Sequence, residues 1–173
     1  MILASMHFGV IYAMLLKKFL VPTRNSVTKY YLNIILVLSL FITFVLMLQG
    51  GYSSFGKALL DSVFQVVSFI STTGFGNADN ALWPVLANIF LLFAAFHCGC
   101  SGSTTGGIKA DRMLIIFKEI GNEFKRRLHP SSVFCTKVDD HTVNNDQISG
   151  VFLYFVAYVF ILFMSFLAVL LSG

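Results

Sequence analysis

Polarity along this chain falls in long blocks, without the short alternation of a soluble fold. Four stretches carry no Asp, Glu, Lys or Arg: 1–16, 30–56, 80–108 and 147–173. A fifth, 62–78, is shorter. A bilayer core takes about 20 apolar residues per helix. Residues 30–49 (YYLNIILVLSLFITFVLMLQ) and 148–171 (through VFLYFVAYVFILFMSFLAVLL) meet that requirement. Residues 1–16 are too short for a full span and lack a basic start and a small-residue cleavage site, so they do not read as a signal peptide. They read as the inner end of a membrane helix. Two further apolar segments, 58–71 and 82–97, are shorter still.

The basic residues decide how these segments cross. Eleven of the twelve Lys and Arg lie in two groups. Lys17, Lys18, Arg24 and Lys29 form one; Lys109, Arg112, Lys118, Lys125, Arg126, Arg127 and Lys137 form the other. Cytoplasmic loops collect such residues, so the chain crosses an even number of times between Lys29 and Lys109. The three apolar segments in that interval therefore cannot all span. The weakest is 58–71 (ALLDSVFQVVSFIS), which holds Asp61, Ser62, Gln65 and Ser68 and reaches only about 21 Å. It reads as a re-entrant helix that enters from outside and turns back. Irregular backbone at that depth is tolerated only within protein or beside water.

Composition agrees. Hydrophobic residues make up 57% of the 173 and charged residues 12%, with 19 Phe. That excludes a soluble enzyme domain, a disordered chain and a disulfide-built secreted scaffold. The net charge of +4 flanks apolar segments and is not a nucleic-acid footprint. No nucleophile–base pair or carboxylate cluster argues for catalysis.

The return from the re-entrant helix reads Ser71-Thr72-Thr73-Gly74-Phe75-Gly76. It predicts an extended strand that aims its carbonyls one way, with Gly74 and Gly76 free to take angles closed to other residues. A loop of this kind is how potassium filters replace the hydration shell of the ion. The C-terminal end of the short helix adds partial negative charge, and Asp79 adds a charge at the outer mouth. An ordinary external turn is the competing reading.

A second discontinuity follows. A helix from Leu82 to His97 covers only about 24 Å. No charge appears until Lys109, so Cys98, Gly99, Cys100, Ser101, Gly102, Ser103, Thr104, Thr105, Gly106 and Gly107 still lie within the membrane. A Gly/Ser-rich break there points to an ion or substrate site; a packing kink is the alternative. A phosphate-binding loop is not matched, because Ile108 stands where the Lys is needed. Residues 108–127 resume as an amphipathic helix, whose Lys125-Arg126-Arg127 sets orientation or meets anionic lipid. Residues 129–147, with Val133, Val138 and Val143, suggest a cytoplasmic loop or hairpin. His97 reads as packed more than as a proton relay, Cys98 and Cys100 as packing residues more than as a metal pair, and Trp83-Pro84 as an interfacial anchor.

Two motifs taken together carry a resemblance. S-T-T-G-F-G-N-A-D-N-A-L-W-P at 71–84, then C-G-C-S-G-S-T-T-G-G-I-K at 98–109, resembles the third repeat of the TrkH/KtrB potassium-uptake subunits of the Trk/Ktr/HKT superfamily. Residues 1–16, with Ser5-Met6-His7-Phe8, resemble the inner end of the second repeat's last helix. Residues 148–173 resemble the first helix of the fourth repeat.

The resemblance implies an all-α integral membrane fold, a helix–re-entrant pore helix–helix repeat of potassium-channel type with partial neighbouring repeats. Residues 1–29 are then the end of the preceding repeat and a cytoplasmic loop. Residues 30–127 form one complete pore repeat: outer helix 30–49, pore helix 58–71, filter 72–76 and a broken inner helix 82–127. Residues 128–147 are a cytoplasmic loop, and 148–173 begin the next repeat. The carbonyls of Thr72, Thr73 and Gly74, continued by Phe75 and Gly76, would bind potassium, the transported ligand; no cofactor is implied. The break from Gly99 to Gly107 resembles an intramembrane gate loop under the filter, closed by Lys109. Thr105 stands where the family usually has Gly. Implied partners are the lipid bilayer, the other repeats, a second copy in a homodimer and cytoplasmic nucleotide-binding regulatory subunits of the TrkA/KtrA type, in a bacterial inner membrane. A self-assembling two-helix cation channel and a non-conducting membrane adaptor are the alternative readings.

Overall fold

The first long helix starts one turn before the apolar run. Asn25 caps it, its side-chain oxygen accepting the Thr28 backbone N–H at 2.9 Å and filling a donor that helix starts leave open. The computed structural model describes residues 1–16, 25–128, 135–139 and 141–172. Lys17, Lys18, Arg24 and residues 129–134, with Val133, lie outside the described residues. The elements are α1 (Ile2–Ser5), α2 (Phe8–Leu15), α3 (Ser26–Leu48), α4 (Phe55–Ile70), a 3-10 turn (Asn80–Leu82), α5 (Val85–His97), α6 (Ala110–Leu128), β1 (Lys137–Val138), β2 (His141–Thr142) and α7 (Asn145–Ser172). They form two compact units, Met1–Asp111 and Arg112–Gly173.

In the first unit α3 packs against α4 and α5, and α4 against α5. The buried positions Tyr31, Ile35, Leu38, Ile42 and Val45 recur every three or four residues on α3, a single face. On α5 the same spacing buries Ala87, Leu91 and Ala94. The small residues Ala87 and Ala94 on this face let the backbones approach closely. The Phe41 and Phe90 rings pack between α3 and α5 with centroids 4.3 Å apart.

Two helices among the described residues are long and apolar enough to cross a membrane, Ser26–Leu48 and Asn145–Leu171. These coincide with the two clean spans expected from hydropathy. The short α4 covers about 24 Å and ends at Ile70. The helix expected from Leu82 begins later, at Val85. Trp83 precedes Pro84 and is extended, as the proline ring demands of its neighbour.

In the second unit the β1–β2 hairpin, paired Lys137 with Thr142 and Val138 with His141, lies back on α6. Lys118 Nζ donates to the Lys137 carbonyl at 2.7 Å, and Asn122 Nδ2 donates to Thr136 Oγ1 at 2.7 Å. Thr136 Oγ1 in turn donates to Glu119. The Arg112 guanidinium sits 3.9 Å over the Tyr154 ring of α7, a cation–π contact.

Candidate functional site

The turn after α4 is a helix stop of defined type. Thr73 N–H donates to the Ser68 carbonyl and Thr72 N–H to the Phe69 carbonyl, both at 3.2 Å. This pair of bonds is a Schellman motif, whose left-handed position is usually glycine. Here it is Thr72, at φ 53°. Ser71 Oγ reinforces the stop by donating to the Val67 carbonyl at 2.6 Å.

The segment is thus not the simple extended strand expected. Left-handed φ occurs at Thr72 and again at Gly74 (72°), while Thr73, Phe75 and Gly76 do not take it. Gly74 uses the freedom assigned to it and Gly76 does not. A Cβ on Gly74 would meet nothing within 4 Å, so backbone angle alone asks for glycine there. Residues 72–77 are all exposed. Asp79 is exposed too, and its Oδ1 accepts the Ala81 N–H at 2.9 Å, capping the 3-10 turn.

The loop from Cys98 to Lys109 is held from inside and from outside. Its ends meet where Ala110 N–H donates to the Gly99 carbonyl at 2.9 Å. Thr105 is buried. Its Oγ1 accepts the Gly99 N–H at 3.2 Å and bonds Ser103 Oγ at 2.8 Å. Ser103 Oγ also donates to the Cys100 carbonyl at 2.6 Å. Lys109 Nζ donates to the carbonyls of Thr105 (3.1 Å) and Ser103 (3.4 Å). Ser101 N–H donates to Asp111 Oδ1 at 2.9 Å. Left-handed backbone occurs at Cys98, Gly102 and Gly107.

The outside hold is the N-terminal segment, which hydropathy alone cast as one helix end. It is broken at Met6–His7. The Ser5 carbonyl, which a continuous helix would give to Gly9 N–H, accepts Cys100 N–H at 2.8 Å instead. Gly9 N–H turns to His7 Nδ1 at 3.0 Å. Thr104 Oγ1 donates to the Ala4 carbonyl at 3.3 Å, and Phe8 N–H to the Gly102 carbonyl at 3.4 Å. A Cβ on Gly99 would lie 2.7 Å from the Ser5 carbonyl oxygen, so only glycine permits this approach. Ser5 Oγ is itself 2.5 Å from the Tyr31 hydroxyl of α3. The same short segment reaches the other discontinuity: Thr73 Oγ1 donates to Met1 Sδ at 3.1 Å.

His97 is buried, with Nδ1 3.0 Å from the Phe93 carbonyl and its ring 4.5 Å from that of Phe93. It is packed, as expected. Cys98 and Cys100 are buried as well, and Cys98 Sγ donates to the Ala95 carbonyl at 3.0 Å.

Residues 6–172 match the family model TrkH, described as a cation transport protein. The chain is 33% identical over 169 residues to the Trk system potassium uptake protein TrkH of Salmonella typhimurium, covering 98% of this chain and 34% of that protein. It is 30% identical over 173 residues to the Trk system potassium uptake protein TrkG of Escherichia coli, covering 99% and 35%. The crystal structure of the potassium transporter TrkH from Vibrio parahaemolyticus superposes with a TM-score of 0.90 at 27% identity, covering 99% of this chain and 37% of that one. The chain thus spans about a third of the length of the proteins it matches.

Proposed function

The chain belongs to the TrkH family of cation transport proteins, and we propose that it is the third pore repeat, with parts of its neighbours, of a bacterial inner-membrane potassium-uptake subunit. In this reading potassium passes by a channel-like route along the carbonyls of Thr72, Thr73, Gly74, Phe75 and Gly76. The loop 99–107, closed by Lys109, blocks the path beneath them. The other three strands of the filter come from the remaining repeats. A second copy and a cytoplasmic ring of nucleotide-binding regulatory subunits complete the system.

Three features support the filter. The backbone is irregular, with φ changing sign at each residue from Thr72 to Phe75, and irregular backbone at membrane depth is tolerated where it lines a water-filled cavity. The segment follows a helix C-terminus, whose partial negative charge attracts a cation. Gly74 takes φ 72°, and glycine is the default residue where a strained backbone must closely approach a ligand.

The observation that carries the gate is the double contact of residues 1–5. One helical turn, about 6 Å of rise, bonds Thr73 at one end and the loop at Ala4 and Ser5 at the other. A loop tethered to the same short helical turn as the strand supports reading it as a gate.

The test is deletion of residues 101–105 in the complete transporter, read as rubidium uptake per inserted molecule with and without the regulatory ring. A gate predicts higher uptake and weaker control by the ring. A shortened loop that inserts normally and transports at the original rate would refute it.

A further inference from the structure

The pore-helix reading leaves one charged group unused. Asp61 lies in the middle of α4 and is 7% exposed. A carboxylate inside a membrane protein is costly, and where it persists it has named partners and a task. Its partners are both outside its own helix. Oδ2 accepts the Tyr52 hydroxyl at 2.9 Å, from the segment that joins α3 to α4. Oδ1 accepts Asn77 Nδ2 at 2.7 Å, from the residue just after the return segment. One turn further along the same face, Gln65 Nε2 donates to the Ala78 carbonyl at 2.9 Å. Two consecutive residues, 77 and 78, are thus tied to two positions of α4, 61 and 65.

The upstream end of the segment is tied by the helix stop at Thr72 and Thr73. Between these attachments residues 74–76 have little side-chain support: a Cβ on Gly74 would touch nothing, and one on Gly76 would make only ordinary contacts. The carbonyl positions across that gap depend on where its two ends are held. Burial, and then the adjoining carboxylate, hold the Tyr52 phenol above its ordinary range, so it remains a donor.

We propose that Asp61 is a positioning residue for ion selection, a two-pronged acceptor that clamps Asn77 to Tyr52 and so fixes the outer end of the filter strand. The inference rests on the transporter reading given above. Asp61 need not touch an ion; it acts through Asn77. A hydrogen bond to a charged group is stronger than one between neutral groups, which suits a carboxylate to holding an otherwise unsupported strand.

The test compares Asp61→Ala, Asn77→Ala, their double variant and Asp61→Asn in the complete transporter. The readout is the ratio of rubidium to sodium uptake per inserted molecule. Each alanine variant should lower the ratio about tenfold, the scale of one charged-group hydrogen bond. The double variant should lower it no further, because both remove the same clamp. Asp61→Asn keeps an acceptor for Asn77 and should stay within about threefold of the parent, a fraction of one such bond.

An Asn77→Ala protein with the parental ratio overturns the proposal. That variant decides the matter if Asp61→Ala fails to insert, because Asn77 is exposed. Multiplying effects in the double variant also overturn it, as does a loss in Asp61→Asn equal to that in Asp61→Ala, which would assign the role to charge. A parent transporter that carries no rubidium would instead refute the transporter reading itself.

Discussion

Replacing Thr105 by valine removes one hydroxyl and keeps the shape of the side chain. Two bonds go with it: the one accepted from Gly99 N–H and the one shared with Ser103. The Gly99 donor is buried, so leaving it unpaired costs about 1–3 kcal/mol, and the second bond contributes about 1 kcal/mol. The Lys109 bonds to backbone carbonyls remain, so the loop is loosened without being dismantled. A net loss of about 2 kcal/mol in the closed arrangement is roughly a thirtyfold shift toward the open one. Rubidium uptake without the regulatory ring should rise toward its open-loop limit, while uptake with an activating ring should change little. Thr105→Ser keeps the hydroxyl and should match the parent. Thr105→Gly also adds backbone freedom, worth about 0.5–1 kcal/mol, and should exceed the valine variant. The measurement is initial uptake normalised to inserted protein. A valine variant indistinguishable from threonine, with glycine elevated, would show that space and flexibility set the closed state and that the hydroxyl does not.

Gly74→Ser should weaken potassium preference over sodium in ion-flux assays, because φ 72° costs a residue with a Cβ about 1–2 kcal/mol; unchanged selectivity at normal expression would remove Gly74 from the filter. Cysteine placed at Lys57 or Asn80 should react with an impermeant thiol reagent on intact cells, and protection of both with labelling at Ser131 would refute the re-entrant topology. Arg127→Glu should reduce co-purification with a nucleotide-binding ring, whereas Arg126→Glu is confounded. Arg126 is bridged to Glu119 at 2.9 Å, while Arg127 is 78% exposed with a looser contact at 3.6 Å. Equal recovery of Arg127→Glu would leave lipid or topology as its role.

The long helices were legible because a bilayer imposes length and apolarity directly, and the shortness of α4 because Asp61, Ser62 and Gln65 interrupt its apolar run. The break at His97 was legible from the glycines beyond it. Left-handed Thr72 was not, since a β-branched residue argues against that conformation and only the bonds to Ser68 and Phe69 reveal it. The split at Met6–His7 depends on Cys100, distant in sequence, and no local pattern signals such a contact. In the sequence Asp61 signals only an obstacle to spanning. Its bonds to Tyr52 and Asn77 required knowing which chain segments the fold brings beside α4.

Threonine at φ 53° has a bearing on how this protein can be improved. The left-handed angle costs about 1–2 kcal/mol that glycine would not incur, so every folded copy forgoes that much robustness at Thr72. A library screened only for survival on heating would enrich Thr72→Gly early, alongside ordinary stabilising changes. The same substitution hands a stiff corner of the proposed ion path to the most pliable residue. Thermal endurance and ion discrimination therefore pull on this residue in opposite directions, and a stabilised variant taken for engineering should be sequenced at position 72 before its transport is trusted.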